Sequence, residues 1–421
     1  MYEYKAPQRD THFVYQDLFD FSSHYQSLAK YEEVTPELWS SIVAEGARFA
    51  ENVVAPLNQS GDEQGCSWNE GAVTTPGGFR EAYQQYQQAG WPSLDFEPEE
   101  GGQGLPESLK VVLGEYLGTA NYAWSSLIGF GWAASKSLRA YASRELCEMY
   151  IPKYCTGEWL GTMCLTESHC GTDLGLMRTR AVPNADGSYS ITGTKIFITS
   201  GDHDLTDNIV HLVLARLEGA PAGTAGISVF VVPKFLDDNG KPGERNGVQC
   251  GSIEHKMGIK GSATCVMNFD EARGYLVGEP NQGLRAMFLM MNAARVGTGM
   301  QGLGHAEMGL QKSAAYAQER LQMRSLGGPK NPDGPADAII VHPDVRRMLL
   351  TQKAIAEGGR MLVAYCARLI DIYNAHENPE ERKRADQQLS FLTPVVKAFL
   401  TELGFESASL EIGRASCRER V

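Results

Sequence analysis

The chain has no Cys-x-x-Cys pair, no His-Glu-x-x-His, no EF-hand loop, no phosphate-binding Gly-x-x-x-x-Gly-Lys-[Ser/Thr] and no Gly-x-Ser-x-Gly elbow. Those absences remove the usual starting points for a metal hydrolase, a P-loop nucleotidase and a serine hydrolase, and no metal ligand set is expected. No uninterrupted apolar run approaches the ~18 residues of a membrane span, and residues 1–10 carry no apolar stretch of signal-peptide length. Basic residues are scarce too: 38 Lys and Arg stand against 51 Asp and Glu, giving a net charge of −13 over 421 residues. With no concentrated basic run, neither nucleic acid nor an anionic membrane is expected as a partner. The nine cysteines are scattered and read as reduced, mostly buried thiols. A cytoplasmic protein is the expectation. What the chain does have is 43% hydrophobic and 21% charged residues, ordinary globular proportions, with length for roughly two to three domains.

From 36 to 153 the apolar spacing is helical. Leu38, Ile42, Val43, Phe49, Val53 and Val54 recur at steps of three to four, and Asn58, Ser60 and Gly61 are expected to stop that run. Further helices fit 79–89 and 109–122, with Gly101, Gly102, Gln103 and Gly104 making the turn between them. At Trp159 the pattern changes to β-branched runs separated by Gly, Asp and Asn. Strands are expected at 189–199, 208–217, 226–232 and 264–269, with a hairpin turn at Ala185, Asp186 and Gly187. No helix of normal length fits between them, which predicts antiparallel pairing rather than βαβ units. Beyond Gly283 the helical period returns as far as Gln322, a Gly/Pro-rich loop spans 327–335, and long helices follow at 345–375 and 379–404, the last kinked at Pro394.

This predicts an α+β multidomain fold: an N-terminal extension (1–35), an N-terminal helical domain (36–158), a middle antiparallel β-barrel-like domain (159–278) and a C-terminal helical bundle (279–411), read as incomplete. Residues 412–421 place three arginines where a helix should keep an apolar face, and their sequence is what one frame of a common sequencing adapter encodes. They are read as a non-native tail and set aside.

Gly297, Gly299 and Gly302 spell Gly-x-Gly-x-x-Gly, a dinucleotide fingerprint when a strand precedes it. Here a Met/Leu/Ala-rich helical stretch precedes it, so close helix packing is expected over a phosphate loop. Two other segments are more informative. Met163 to Asp173 (Met-Cys-Leu-Thr-Glu-Ser-His-Cys-Gly-Thr-Asp) is a strand running into a turn of small and hydroxyl residues. Such a turn can aim backbone N–H groups and Thr hydroxyls at the edge of a flat, electron-rich ligand. In Gly193-Thr-Lys-Ile-Phe-Ile-Thr-Ser-Gly201, strand alternation puts Phe197 and Thr199 on one face. An aromatic face beside a donor hydroxyl suits an isoalloxazine ring; plain sheet surface is the alternative the residues alone leave open.

These two segments resemble the strand motifs of the acyl-CoA dehydrogenase family, Cys-x-Thr-Glu-Pro-x-x-Gly-[Ser/Thr]-Asp and Lys-x-[Trp/Phe]-Ile-[Thr/Ser]-x-[Ala/Gly]. The order helices, β-domain, helices is also that family's, over residues 36–411, and Tyr4-Lys5-Ala6-Pro7 with Arg9-Asp10 resembles its long bacterial subgroup. That subgroup includes fatty acyl-CoA and 3-methylmercaptopropionyl-CoA dehydrogenases. The resemblance implies FAD-dependent α,β-dehydrogenation of an acyl-CoA thioester to the trans-2-enoyl-CoA, with electron-transfer flavoprotein as acceptor and a homodimer or dimer of dimers. It implies that Leu165 and Thr166 meet the flavin pyrimidine edge, that Phe197 packs on the ring and that Thr199 donates to its N5 side. Thr172 would lie near the flavin pyrophosphate or the CoA, Asn292 and Arg295 would reach the CoA, and Arg320, with Gln322 nearby, would pair with the FAD pyrophosphate of the neighbouring subunit. Ser168 and His169 depart from the usual turn.

The family's base is a Glu in a Tyr-Glu-Gly-Thr-like segment after a Gly-Gly-rich loop, and neither segment occurs here. No catalytic residue is therefore assigned, Glu167 being a structural position in the family, and the expectation is a base beyond residue 421. The alternatives are an oxidase or monooxygenase of the same fold, a non-catalytic acyl-CoA or flavin binder, and a nicotinamide enzyme built on Gly297 to Gly302.

Overall fold

A computed structural model describes residues 3–412; the remainder of the expected tail, 413–421, lies outside the described residues. The helices of eight or more residues are α1 (Pro36–Phe49), α2 (Leu57–Gln64), α3 (Phe79–Gln88), α4 (Glu107–Ala120), α5 (Tyr122–Tyr141), α6 (Arg144–Thr156), α7 (Gly283–Glu319), α8 (Pro343–Ala375) and α9 (Pro379–Ile412). The chain forms two compact units. One holds the described residues up to Ala55, Leu105–Asn121 and residues 295–412; the other holds Pro56–Gly104 and Tyr122–Ala294.

The first unit is helical. Thr35 caps α1 by accepting from Leu38 N–H, and Pro36 supplies the fixed φ of its first turn. Val111 of α4, Leu303 of α7, Val363 of α8, and Val396 and Leu400 of α9 form one buried cluster. The glycine triplet lies inside α7, and two of its members explain themselves by contact. A Cβ on Gly299 would strike Val396, and one on Gly302 would strike the Leu400 carbonyl, while Gly404 packs back on Gly302. Small residues thus bring the α7 and α9 backbones together, and the residues directly before them, from Gly283, are helix rather than strand. Across the same unit the fully buried Arg360 donates to Glu115 and to Glu307, at 2.8 Å each, tying α8 to α4 and α7.

In the second unit the expected stop at Asn58 to Gly61 does not occur. Those residues are part of α2, where Gly61 sits against the Phe79 ring, so tertiary packing overrides weak helix propensity. Gly101 and Gly104 take the left-handed conformation the turn required.

The strands of the main sheet are β1 (Trp159–Cys164), β2 (Arg180–Pro183), β3 (Tyr189–Thr199), β4 (Asn208–Leu217), β5 (Ile227–Pro233), β6 (Val248–Ile253) and β7 (Thr264–Leu276). Strands β7, β3, β2, β4 and β5 pair in a ring that closes on β7, with β6 beside β7 and β1 beside β4. The barrel-like expectation holds, and most pairings are antiparallel. Two are not: β1 with β4 and β2 with β4 run parallel, and the crossovers that join them run through intervening strands and loops instead of the usual helix.

Alternation along β4 feeds two cores. Val213 and Ala215 face one cluster with Ile191, Phe230, Val232 and Phe269, while Val210, Leu212 and Leu214 face another with Tyr150, Tyr154, Trp159 and Met287. Both faces are covered, so the strand reads as one continuous apolar run. All eight described cysteines are free thiols, and six are buried. Among the described residues, no helix is long and apolar enough to cross a membrane.

Candidate active site

Strand β1 is buried along almost its whole length and delivers Leu165 and Thr166, both half-buried, at its C-terminal end. Ser168 and His169 then form a tight exposed turn. Glu167 N–H donates to the Cys170 carbonyl at 2.9 Å, and Cys170 N–H donates back to the Glu167 carbonyl at 3.1 Å. The departures from the usual motif therefore still give a closed hairpin, braced by a 3.0 Å contact of His169 Nε2 with the Leu176 carbonyl. Thr172 is exposed in the loop that follows.

The two motif segments are joined directly. Ile196 N–H donates to the Thr166 carbonyl at 2.9 Å, and Lys195 Nζ donates to the Leu165 carbonyl and to Glu167 Oε1, both at 2.9 Å. Lys195 is fully buried and Glu167 nearly so. The carboxylate also accepts from Thr179 N–H (2.9 Å), Thr179 Oγ1 (2.5 Å) and Arg178 N–H (2.8 Å). Burial by itself would raise the Glu167 carboxyl, but the Lys195 ammonium and these donors hold it down at about 2. Burial lowers Lys195 from its ordinary value, and the Glu167 charge opposes that without cancelling it. Ligand atoms of Glu167, His169 and Cys170 come within 4.8 Å of one another. The Lys195 ammonium already supplies the positive charge at the Glu167 carboxylate, which disfavours a metal ion beside it.

Past Lys195 the ladder slips. Residues 195 and 198 of β3 face 267 and 265 of β7, so Ile196 and Phe197 together oppose Val266 in a β-bulge. Phe197 has φ 58°, an unusual conformation for a bulky residue, and the residue is 58% exposed. Ile198 points into the core, leaving Phe197 and Thr199 on the outer side as alternation predicted; the bulge that turns Phe197 outward was not predicted. A strained aromatic held out of the core is a common mark of a ligand site. The hydroxyls of Thr166, Thr172 and Thr199 make no hydrogen bond among the described residues.

The remaining candidates fall into two groups. Asn292, exposed, and Arg295, half-buried, are one turn apart on α7. Arg320, exposed, and Gln322 follow the end of α7, where a bridge pairs Leu321 with Ala338. There Ile339 N–H donates to the Arg320 carbonyl (2.8 Å) and Gln322 N–H to the Asp337 carbonyl (2.9 Å). The buried Asp337 carboxylate accepts N–H bonds from Ser325, Lys330 and Asn331 at 2.7–2.9 Å, which lowers its pKa. It gathers the Gly/Pro-rich loop around itself. The sequence reading assigned no role to Asp337 or Lys195; a lysine directly before the apolar run Ile196-Phe197-Ile198 within one strand was a signal for the second.

The N-terminal domain profile of the acyl-CoA dehydrogenases matches residues 40–158, and the middle domain profile of the same family matches 162–272. A 3-methylmercaptopropionyl-CoA dehydrogenase of Ruegeria pomeroyi is 42% identical over 97% of this chain and 69% of its own length. The chain belongs to the acyl-CoA dehydrogenase family.

A broad-specificity linear acyl-CoA dehydrogenase of Mycobacterium tuberculosis is 36% identical over 96% of this chain and 67% of its own length. Among solved structures, butyryl-CoA dehydrogenase from Megasphaera elsdenii shares the fold with a TM-score of 0.64 at 20% identity, covering 89% of this chain and 93% of that one. As an acyl-CoA dehydrogenase the protein is a flavoprotein oxidoreductase, and the features of its motif segments fit a flavin: three threonine hydroxyls with no hydrogen bond among the described residues, an outward aromatic ring and a fixed peptide edge.

Proposed function

We propose that the protein catalyses FAD-dependent α,β-dehydrogenation of acyl-CoA thioesters to trans-2-enoyl-CoA, in fatty-acid β-oxidation or related acyl-CoA catabolism in the cytoplasm. One observation carries the reading. The bulge that turns Phe197 outward is hydrogen-bonded through Ile196 to Thr166, so an aromatic face and donor groups belong to one rigid piece of sheet. Bound FAD supplies a hydride acceptor, which no side chain can provide.

The chain's own residues bind and polarise. Leu165 and Thr166 would hold the ring's pyrimidine edge, Thr199 its N5 side and Phe197 its face. Donors fixed in advance at positions where negative charge grows lower a barrier without reorganising. Thr172 serves the pyrophosphate or the CoA, and Asn292 and Arg295 the CoA. Arg320 and Gln322 serve the FAD pyrophosphate of a neighbouring subunit in a homodimer or dimer of dimers, with electron-transfer flavoprotein as acceptor. The matches at 40–158 and 162–272 support a helical domain at 36–158 and a β-domain at 159–278, followed by helices.

Glu167 is not the base: both its oxygens are engaged and its carboxyl is held near 2, well below the range useful for accepting an α-proton. No other described residue is assigned that role. The test is to load the 421-residue protein with FAD and add straight-chain acyl-CoAs anaerobically, following the visible flavin spectrum and enoyl-CoA. Retained FAD whose spectrum responds to acyl-CoA is expected. A protein that takes up no FAD, or whose flavin ignores every acyl-CoA and yields no enoyl-CoA, overturns the reading.

A further inference from the structure

We infer that Lys195 and Glu167 are positioning residues that aim and strengthen the Thr166 N–H as a donor to the flavin. The inference rests on the flavin reading and adds residues that reading does not use. Lys195 and Glu167 embrace Thr166: Lys195 Nζ binds the carbonyl of Leu165 on one side and the carboxylate of Glu167 on the other, at 2.9 Å each. In a trans peptide the carbonyl and the following N–H point opposite ways. With the Leu165 carbonyl drawn inward to a buried ammonium, the Thr166 N–H is turned outward, away from Lys195. The next peptide is fixed likewise, its Thr166 carbonyl taken by Ile196 N–H and its Glu167 N–H by the Cys170 carbonyl.

A cation on a carbonyl oxygen also polarises that peptide, making its N–H a better donor where the dielectric is low. The other end of the pair is placed to matter as well, since Lys195 is the last residue in register before the bulge that carries Phe197. Glu167 is anchored by Thr179, and a side chain on Gly193 would collide with Thr179. A buried ion pair is poor value for stability alone, because apolar residues of similar volume often serve as well. Here Lys195 Nζ holds the Leu165 carbonyl beside the site, and Glu167 holds Lys195 while accepting from Arg178 and Thr179.

The experiment compares wild type, Lys195→Met and the double variant Glu167→Gln/Lys195→Met, the second avoiding an unpaired buried charge. FAD affinity is read by fluorescence titration, the flavin midpoint potential by spectroelectrochemistry, and folding by thermal melts. The double variant is expected to fold, to bind FAD about tenfold more weakly, the scale of one charge-assisted hydrogen bond, and to hold a flavin of more negative potential. A folded variant with wild-type affinity and potential overturns the inference and leaves the proposed function standing. Failure of both variants to fold also overturns it, since the pair would then be a structural anchor. Wild type that takes up no FAD brings down the functional reading itself.

Discussion

Phe197 carries two burdens that usually exclude each other, a left-handed backbone and an exposed apolar ring. Neither helps the fold. Replacing it with Ala keeps the backbone and removes mostly exposed surface, so stability should move by no more than about 1 kcal/mol, while FAD affinity falls. Equal FAD titrations for the two proteins would deny the ring its role. Glu167 gives a second expectation at this scale. Its folded carboxyl lies at about 2 against an ordinary 4.5. A depressed acid contributes stability that is whole above the unfolded value and is lost as pH falls through the folded one. Thermal melts should thus show acid destabilisation setting in below about pH 4.5 and growing towards pH 2, with Glu167→Gln losing that part of the slope. An unchanged slope in the variant would contradict the assignment. The residue types of both segments were legible in the sequence, and so was the shared side of Phe197 and Thr199. The bulge was not, because a two-residue against one-residue mismatch depends on the partner strand, which period-two alternation cannot see.

At the scale of elements, the glycine triplet separates two meanings of one motif. Gly302 lies against the Leu400 carbonyl, whereas nothing lies within 4 Å of a Cβ on Gly297. Gly302→Ala should destabilise by roughly 1–3 kcal/mol as α7 and α9 are forced apart. Gly297→Ala should stabilise by roughly 0.5–1 kcal/mol through helix propensity. Denaturant unfolding of the two single variants checks this; a phosphate loop would instead make both needed for ligand and neither strongly for stability. Helix packing was readable here because the preceding residues keep a helical period. Strands β3 and β4 were readable to the residue, at 189–199 and 208–217, since turn residues bound β-branched runs. The parallel pairing of β1 with β4 was not, because the direction in which two strands distant in sequence meet is set by the path of the chain between them rather than by either strand's own pattern.

For the whole molecule, the proposed role of Arg320 ties cofactor retention to association. The unit that holds Arg320 shows an unusual surface: Phe391, Val395 and Phe399 recur every four residues along α9 and are 42–73% exposed, and a groove of about 860 Å³ between α8 and α9 is lined by Leu350, Leu362, Phe399 and Leu403. Apolar stripes of this kind mark interaction faces, which composition could not reveal, since a count of phenylalanines says nothing of where they point. If one subunit's arginine holds its neighbour's pyrophosphate, then FAD binds the assembled protein better than the separated one, and by linkage dilution must shed flavin. Wild type diluted through its association range, followed by sedimentation and flavin fluorescence together, should lose FAD as it dissociates. Arg320→Ala should start with weaker FAD retention and show a shallower dependence on protein concentration, with acyl-CoA binding affected less. FAD occupancy that ignores protein concentration in wild type would sever the link between Arg320 and a neighbouring subunit, and equal FAD content in wild type and variant would remove Arg320 from the cofactor site altogether.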